Sequence, residues 1–266
     1  MKKNFKKVNA AIIVIGNEIL SGRTQDLNVS FISKWLNEKN GISVNEVRVI
    51  PDVEKIIVKT TNELRKKYNY IFTTGGIGPT HDDITAKSIS KVFKVKYEYH
   101  PEAFAILKKY YGKNNFNDGR KKMSKMPRGS DLIYNPSSAA PGFRIQNVFC
   151  LPGVPLILRS MIHNCTKYLK KGSKVYSDSI NLITVESNIS RELGKLQKKY
   201  RKYIDIGSYP FFRLGRVGVS IVLRSQNKHK ISLCKTEILK NIVKKKKIKK
   251  VWKLTIASCF MTKIWS

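Results

Sequence analysis

The sequence predicts an α/β fold built on a mostly parallel, doubly wound sheet, and three observations carry that prediction. Ala10-Ala11-Ile12-Ile13-Val14-Ile15 is a continuous apolar run, the pattern of a strand buried on both faces. Strand-like and helix-like segments then alternate through Phe93, and that order implies right-handed crossovers between parallel strands. A glycine-rich loop at residues 73–85 joins an apolar strand-like run to a helix-like one. In such sheets ligands bind beyond the C-terminal ends of the strands.

The elements follow in order. Asp26 can cap a helix over residues 27–39, whose Phe31, Ile32, Trp35 and Leu36 share one face, and Asn40-Gly41 ends it. Residues 42–50 alternate like a strand, and Pro51-Asp52 starts a helix carrying Val53, Ile56, Ile57 and Leu64. Residues 70–74 form the next strand, and a helix over 84–93 follows the glycine loop. Residues 101–128 read as two helices separated by Gly112-Lys113-Asn114-Asn115. Short strands are expected at 132–134 and 143–151, around Asn135-Pro136-Ser137-Ser138-Ala139-Ala140-Pro141-Gly142. Leu151-Pro152-Gly153-Val154-Pro155 ends a strand and opens a helix over 156–169, with Pro155 suited to its first turn.

From Lys174 the pattern changes. A strand at 175–185, a helix at 189–200 with Asn188 as candidate cap, strands at 204–209 and 217–224, and a helix at 231–243 suggest a small α+β domain. The expected organisation is a first domain at 8–170, the small domain at 174–243, and a basic, irregular tail at 244–266.

The formal net charge is +34, yet the lysines are spread along the chain and no zinc-finger, RNA-binding or heptad pattern accompanies them. Nucleic acid is therefore not expected as the main partner. Cys150, Cys165, Cys234 and Cys259 form no CxxC pair, which fits a reduced interior and a cytoplasmic location. The run at 10–15 is too short for a signal segment, and no apolar run reaches transmembrane length, so no membrane association is expected.

The glycine loop carries the chemistry. Gly75, Gly76 and Gly78 let a backbone approach a ligand without Cβ interference, and loop N–H groups beside a helix start form an anion site. Asp82 and Asp83 stand where phosphates would arrive. Carboxylates repel phosphate, and a bridging divalent metal is the simplest reason for them. Asp83 and Asp82 are thus the catalytic and metal-holding candidates, with Glu18 as a third metal ligand. The ligand- or phosphate-binding candidates are Thr74, Gly75, Gly76, Gly78, Pro79, Thr80 and Thr85, joined by Gly16, Asn17, Asn28 and Gly153 from neighbouring strand-end loops. Each has a plainer alternative. Asp82 or Asp83 can cap the following helix. Glu18 can be a turn residue, and Asn28 can satisfy loop backbone. His81 can serve as general base or face solvent. Ser137 and Ser138 can meet phosphate or be ordinary loop serines, which are common. GGIGPT is not a GxGxxG in register, and GK[ST], HExxH and GxSxG are absent from the sequence.

Thr73-Thr74-Gly75-Gly76-Ile77-Gly78-Pro79-Thr80 followed by Asp82-Asp83-Ile84-Thr85 resembles the signature of the MoaB/MogA molybdopterin-binding domain. Ile15-Gly16-Asn17-Glu18-Ile19-Leu20-Ser21-Gly22 with Asn28, the 135–143 segment and the 151–155 segment resemble its CinA-type branch. That branch includes the N-terminal domains of competence/damage-inducible protein CinA and of eukaryotic FAD synthase. The resemblance covers residues 8–170, and Ile206-Gly207-Ser208-Tyr209-Pro210 extends it to residue 240, toward short stand-alone bacterial members. It implies a MogA-like three-layer α/β/α fold and a site for a nucleotide or a pterin. In the CinA type it implies a divalent-metal-dependent nucleotide pyrophosphatase, with Mg²⁺ or Co²⁺ and a substrate like ADP-ribose or FAD. The alternative is a non-catalytic molybdopterin- or nucleotide-binding module. Asp83 matches the family's functional aspartate and Asp82 the extra acid of the CinA branch. Asp26 lies near a further acidic position of the MogA-like loop. Homo-oligomers are common in the family and are expected here.

Overall fold

The computed structural model describes residues 8–213, 215–246 and 248–251. The chain divides after Lys174 into two compact units. The first is built on a six-stranded sheet of β1 (Asn9–Ile15), β2 (Ser43–Ile50), β3 (Tyr70–Thr74), β6 (Asp131–Ile133), β7 (Gly142–Ile145) and β8 (Val148–Leu151), in the order β2-β1-β3-β8-β7-β6. A separate two-stranded ribbon pairs β4 (Tyr97–Tyr99) with β5 (Lys125–Pro127). β2, β1, β3 and β8 run parallel, and β7 is antiparallel to both its neighbours.

Alternation along β1 explains the layering. Ala11, Ile13 and Ile15 enter one core, and Ala10, Ile12 and Val14 enter another. The first core is covered by α3 (Glu54–Lys67) and α4 (Thr85–Phe93), through Ile57, Leu64, Ile89 and Val92. The second is covered by α2 (Asn28–Trp35) and α7 (Pro155–Met161), through Ile32, Trp35, Leu158 and Met161. Both faces are thus dry, which is why β1 and β3 lack polar alternation. Phe72 of β3 and Phe149 of β8 stack in the second core with centroids 4.7 Å apart. This is the expected three-layer α/β/α arrangement with a mostly parallel sheet.

The hydrogen-bonded register aligns the strand ends. Ile15 pairs with Ile50, Val14 with Thr74, and Thr74 with Leu151. The segments leaving β1, β2, β3 and β8 therefore emerge side by side. Gly41, in the left-handed region at φ 66°, ends the turn after α2, as the Asn40-Gly41 pair implied.

Some expectations need correction. Residues 143–151 are two strands, because Gln146 takes a left-handed φ of 51° and turns the chain into the β7–β8 hairpin. In the second unit, β9 (Tyr176–Ile183), β10 (Asp205–Arg213), β11 (Arg216–Ser225) and β12 (Lys249–Val251) form an antiparallel sheet in the order β10-β11-β9-β12. α8 (Ser190–Tyr200) and α9 (Lys228–Ile238) bury Leu193, Leu196, Ile231 and Ile238 against it. This is the small α+β unit the sequence implied. Asn188 does not cap α8: its amide donates to the Thr184 hydroxyl. Lys249–Val251, placed by the sequence in an irregular tail, is strand β12, since the edge of β9 offers it backbone partners. Lys244, also placed in that tail, ends the helical segment Leu239–Lys244, while 247 and 252–266 lie outside the described residues. Among the described residues no helix is long and apolar enough to cross a membrane.

One side-chain network makes stability depend on pH. The Glu46 carboxylate on β2 accepts from Lys67 at 2.7 Å, the Tyr68 hydroxyl at 2.7 Å and Arg48 at 2.8 Å. These donors, Lys67 foremost, pull its pKa from 4.5 to about 2. A depressed carboxylate stabilises the fold above its unfolded pKa, and the contribution is lost as pH falls through the folded value. Denaturant titrations should therefore show Glu46 losing its contribution between pH 4.5 and about 2. Glu46→Gln should flatten that part of the profile. An unchanged slope in the variant would rule the network out as a source of acid sensitivity.

Candidate functional site

The glycine loop leaves β3 at the shared edge of the sheet. Gly75 has φ +99°, and its N–H donates to the Leu151 carbonyl at 3.1 Å. A Cβ there would lie 2.1 Å from the Ile15 carbonyl oxygen. Gly76 has φ +68°, and a Cβ would meet the Thr85 hydroxyl at 2.2 Å. These two positions require glycine on both conformational and steric grounds. Thr85 is fully buried and closes the loop. Its N–H donates to the Gly76 carbonyl at 2.9 Å and its hydroxyl to the Gly75 carbonyl at 3.0 Å. Of the residues marked for ligand contact, Thr85 thus has its hydroxyl engaged in shaping the loop. Among the described residues, the N–H groups of Gly76, Ile77 and Gly78 have no hydrogen-bond acceptor.

Asp83 lies against this stretch. A Cβ on Gly78 would sit 2.7 Å from its Oδ2. That oxygen accepts from the Thr80 N–H at 2.8 Å, and the Asp83 N–H returns a bond to the Thr80 carbonyl at 3.2 Å. The Thr80 hydroxyl stands 2.5 Å from both Asp82 Oδ1 and Asp83 Oδ2. It has one hydrogen, so it serves one carboxylate at a time. Neither aspartate caps α4, which starts after Ile84 with no side-chain cap, so the capping alternative falls away. Pro79 is exposed and packs near Gly119, at the start of α6 (Asp118–Lys122). From α6, Lys122 donates to the Thr80 carbonyl. The Asp82 carboxyl is held below its usual range, chiefly by the Thr80 hydroxyl, with its own N–H, His81 and Lys122 adding to the effect. His81 itself is exposed.

The sequence reading missed Asp52. It follows Pro51 at the end of β2, and its Oδ2 accepts the Asn17 N–H at 2.9 Å. Burial raises its pKa. The Asn17 N–H opposes that rise, while the nearby charges of Glu18, Asp82 and Asp83 add to it. Four carboxylates from three strand-end loops therefore share one electrostatic neighbourhood. The signal was available: parallel β1 and β2 must deliver the segments after Ile15 and Ile50 together. Within its own stretch of sequence Asp52 signals only the start of a helix.

Glu18 belongs to the short helix α1 (Asn17–Leu20), and its carboxylate folds back over Gly16, where a Cβ would lie 2.5 Å from Oε1. Asn28, buried at the start of α2, donates from Nδ2 to the Gly153 carbonyl at 2.7 Å. Asp26 Oδ1 accepts the Val29 N–H at 2.9 Å and so steadies the first turn of α2, the helix it was expected to cap. A hollow of about 50 Å³ is lined by Glu18, Asp26, Asn28, Thr74, Gly153 and their neighbours. The 135–142 segment is tied internally. Asn135 accepts from the Ser137 and Ser138 N–H groups and donates to the Ser138 hydroxyl and the Ala140 carbonyl. Ser137 is exposed. Among the described residues, no group of three or more His, Cys, Asp or Glu side chains is arranged to hold a metal, so Asp82, Asp83 and Glu18 do not form a ready-made triad.

Comparison with known proteins agrees with this architecture. Residues 11–171 match the model described as "probable molybdopterin binding domain", and residues 174–251 match that of the "FAD synthase, middle domain". A protein of Archaeoglobus fulgidus is 32% identical over 230 residues, 86% of this chain and 97% of its own. One from Sulfolobus acidocaldarius is 34% identical over 205 residues, 73% of this chain and 78% of its own. These relatives are archaeal, whereas the resemblance in sequence had pointed to bacterial members. The crystal structure of a CinA protein of unknown function from Thermoplasma acidophilum is 32% identical, with a TM-score of 0.57, covering 60% of this chain and 96% of that one. The match over residues 11–171, on a three-layer fold whose glycine loop stands at the strand ends, places the chain in the family of probable molybdopterin-binding domains.

Proposed function

We propose that the chain is a divalent-metal-dependent nucleotide pyrophosphatase acting on a substrate such as ADP-ribose or FAD. The observation that carries this reading is the contact between opposites in the glycine loop. Unbonded N–H groups at Gly76, Ile77 and Gly78 suit an anion, and the Asp83 carboxylate lies directly on Gly78. An anion and a carboxylate share such a place when a cation lies between them.

The donor set is all carboxylate oxygen, which suits a hard cation such as Mg²⁺. Mg²⁺ keeps several waters and uses one or two carboxylates plus substrate phosphates, so a site without a preformed triad fits it. Asp83 and Asp82 would hold it, with Glu18 and Asp52 within electrostatic reach. When bound, the ion would supply charge stabilisation on the phosphate oxygens and a more acidic water. The loop amides would bind and orient the pyrophosphate, and Thr80 would hold the two carboxylates in place. Hydrolysis would then break one bridging P–O bond, with water supplying the new oxygen and a proton passing to the leaving phosphate.

The family description favours a second reading, a molybdopterin- or nucleotide-binding module without catalysis. One experiment separates them. The purified chain is incubated with ADP-ribose or FAD in Mg²⁺, Co²⁺ or EDTA, and AMP is measured. The enzyme reading expects AMP release with metal and none with EDTA. Absence of AMP under every metal condition leaves the binding module.

A further inference from the structure

The hollow beside the glycine loop has a chemistry opposite to that of the loop. Its polar lining comes from Glu18, Thr24, Gln25, Asp26, Asn28 and Thr74, and no Lys or Arg is among the described residues that line it. In a chain of net charge +34, a cation-free, acceptor-rich recess is no place for phosphate.

Asn28 states what the recess lacks. Its residue exposure is 4%, and its Oδ1 has no hydrogen-bond partner among the described residues. An amide flip cannot remove the problem. The Gly153 carbonyl 2.7 Å away is an acceptor only, so Nδ2 must face it and Oδ1 must face elsewhere. A buried acceptor is costly to leave unpaired, and Asn28 lines the recess, where a ligand can supply the donor. The volume, about 50 Å³, limits that donor. A water needs roughly 10–15 Å³, so the recess holds a few water-sized groups and not a bicyclic ring.

We propose that this recess takes the hydroxyl pair of the ribose of a nucleoside phosphate, with Asn28 Oδ1 accepting from one hydroxyl and the phosphate lying on the glycine loop. The assignment rests on the nucleotide reading above and names the part of the substrate that it selects. Sugar hydroxyls are donors of the right size, and Glu18 and Asp26 offer acceptors for the second one. The Asn28–Gly153 bond ties two of the residues that line the recess together.

Calorimetric titration of the wild-type chain with AMP, 2′-deoxy-AMP and 3′-deoxy-AMP, with and without Mg²⁺, tests this. At least one deoxy form should bind about tenfold more weakly than AMP, the loss of one hydrogen bond to a buried acceptor. In Asn28→Ala that gap should close to about threefold or less. Equal affinity of the wild type for all three nucleotides overturns the assignment and leaves the nucleotide reading standing. No binding of AMP up to about 1 mM, with or without Mg²⁺, removes the nucleotide reading and this assignment with it. The wild-type comparison decides the matter even if Asn28→Ala does not fold.

Discussion

Asp83→Asn is expected to slow metal-dependent AMP release on the order of 100-fold, about 2.7 kcal/mol in the barrier, while the protein melts near the wild-type temperature. The substitution separates two jobs of one side chain. Its Oδ2 accepts the Thr80 N–H at 2.8 Å, and an amide oxygen can still accept there. The loop should keep its shape. What is lost is the negative charge beside Gly78, which the proposed metal needs. Asp83→Ala is the informative contrast: it removes charge and acceptor together and should lose both rate and thermal stability. Steady-state AMP assays across Mg²⁺ concentration, with calorimetric melting of each variant, decide the point. An Asp83→Asn protein that cleaves at the wild-type rate would refute the placement of the metal on this residue.

Gly75→Ala is expected to destabilise the first unit by about 3–5 kcal/mol, combining left-handed strain with overpacking. The position has φ +99°, and a new methyl would lie 2.1 Å from the Ile15 carbonyl oxygen. Neither side can yield easily. Ile15 is the last residue of a strand paired on both sides, and the Gly75 N–H is tied to Leu151. At roughly 2–4 °C per kcal/mol, melting should fall by about 10 °C. Gly153→Ala is the control, since its Cβ would meet Gly75 Cα at an ordinary 3.5 Å. Similar melting of wild type and Gly75→Ala would show that the loop is softer than its geometry implies.

The sheet was legible in the sequence because burial on both faces leaves an unmistakable run of apolar residues in β1 and β3. The glycine loop was legible because its demands are local: left-handed backbone at Gly75 and Gly76 excludes other residues. The β7–β8 hairpin was not, since its turn puts Gln146 in a left-handed conformation that no glycine or asparagine at that position announces. Asp52 was missed for a different reason. Its importance comes from strand order, which sets Ile50 beside Ile15, and nothing within a few residues of Asp52 carries that information. The recess around Asn28 lies between. The residue was singled out, but the buried oxygen that gives it meaning depends on Gly153, far along the chain.

The bond from Gly75 to Leu151 also sets when, along the chain, the glycine loop can close. β1, β2 and β3 precede β8 in the chain, so the glycine loop is synthesised long before its anchor. β8 arrives only after the whole α4-to-β7 stretch, and Asn28 waits for Gly153 just behind it. A nascent chain halted before residue 151 would carry the aspartates and glycines yet lack both the Gly75–Leu151 and the Asn28–Gly153 bonds. Closure of the glycine loop is thereby a readout that β8 has docked.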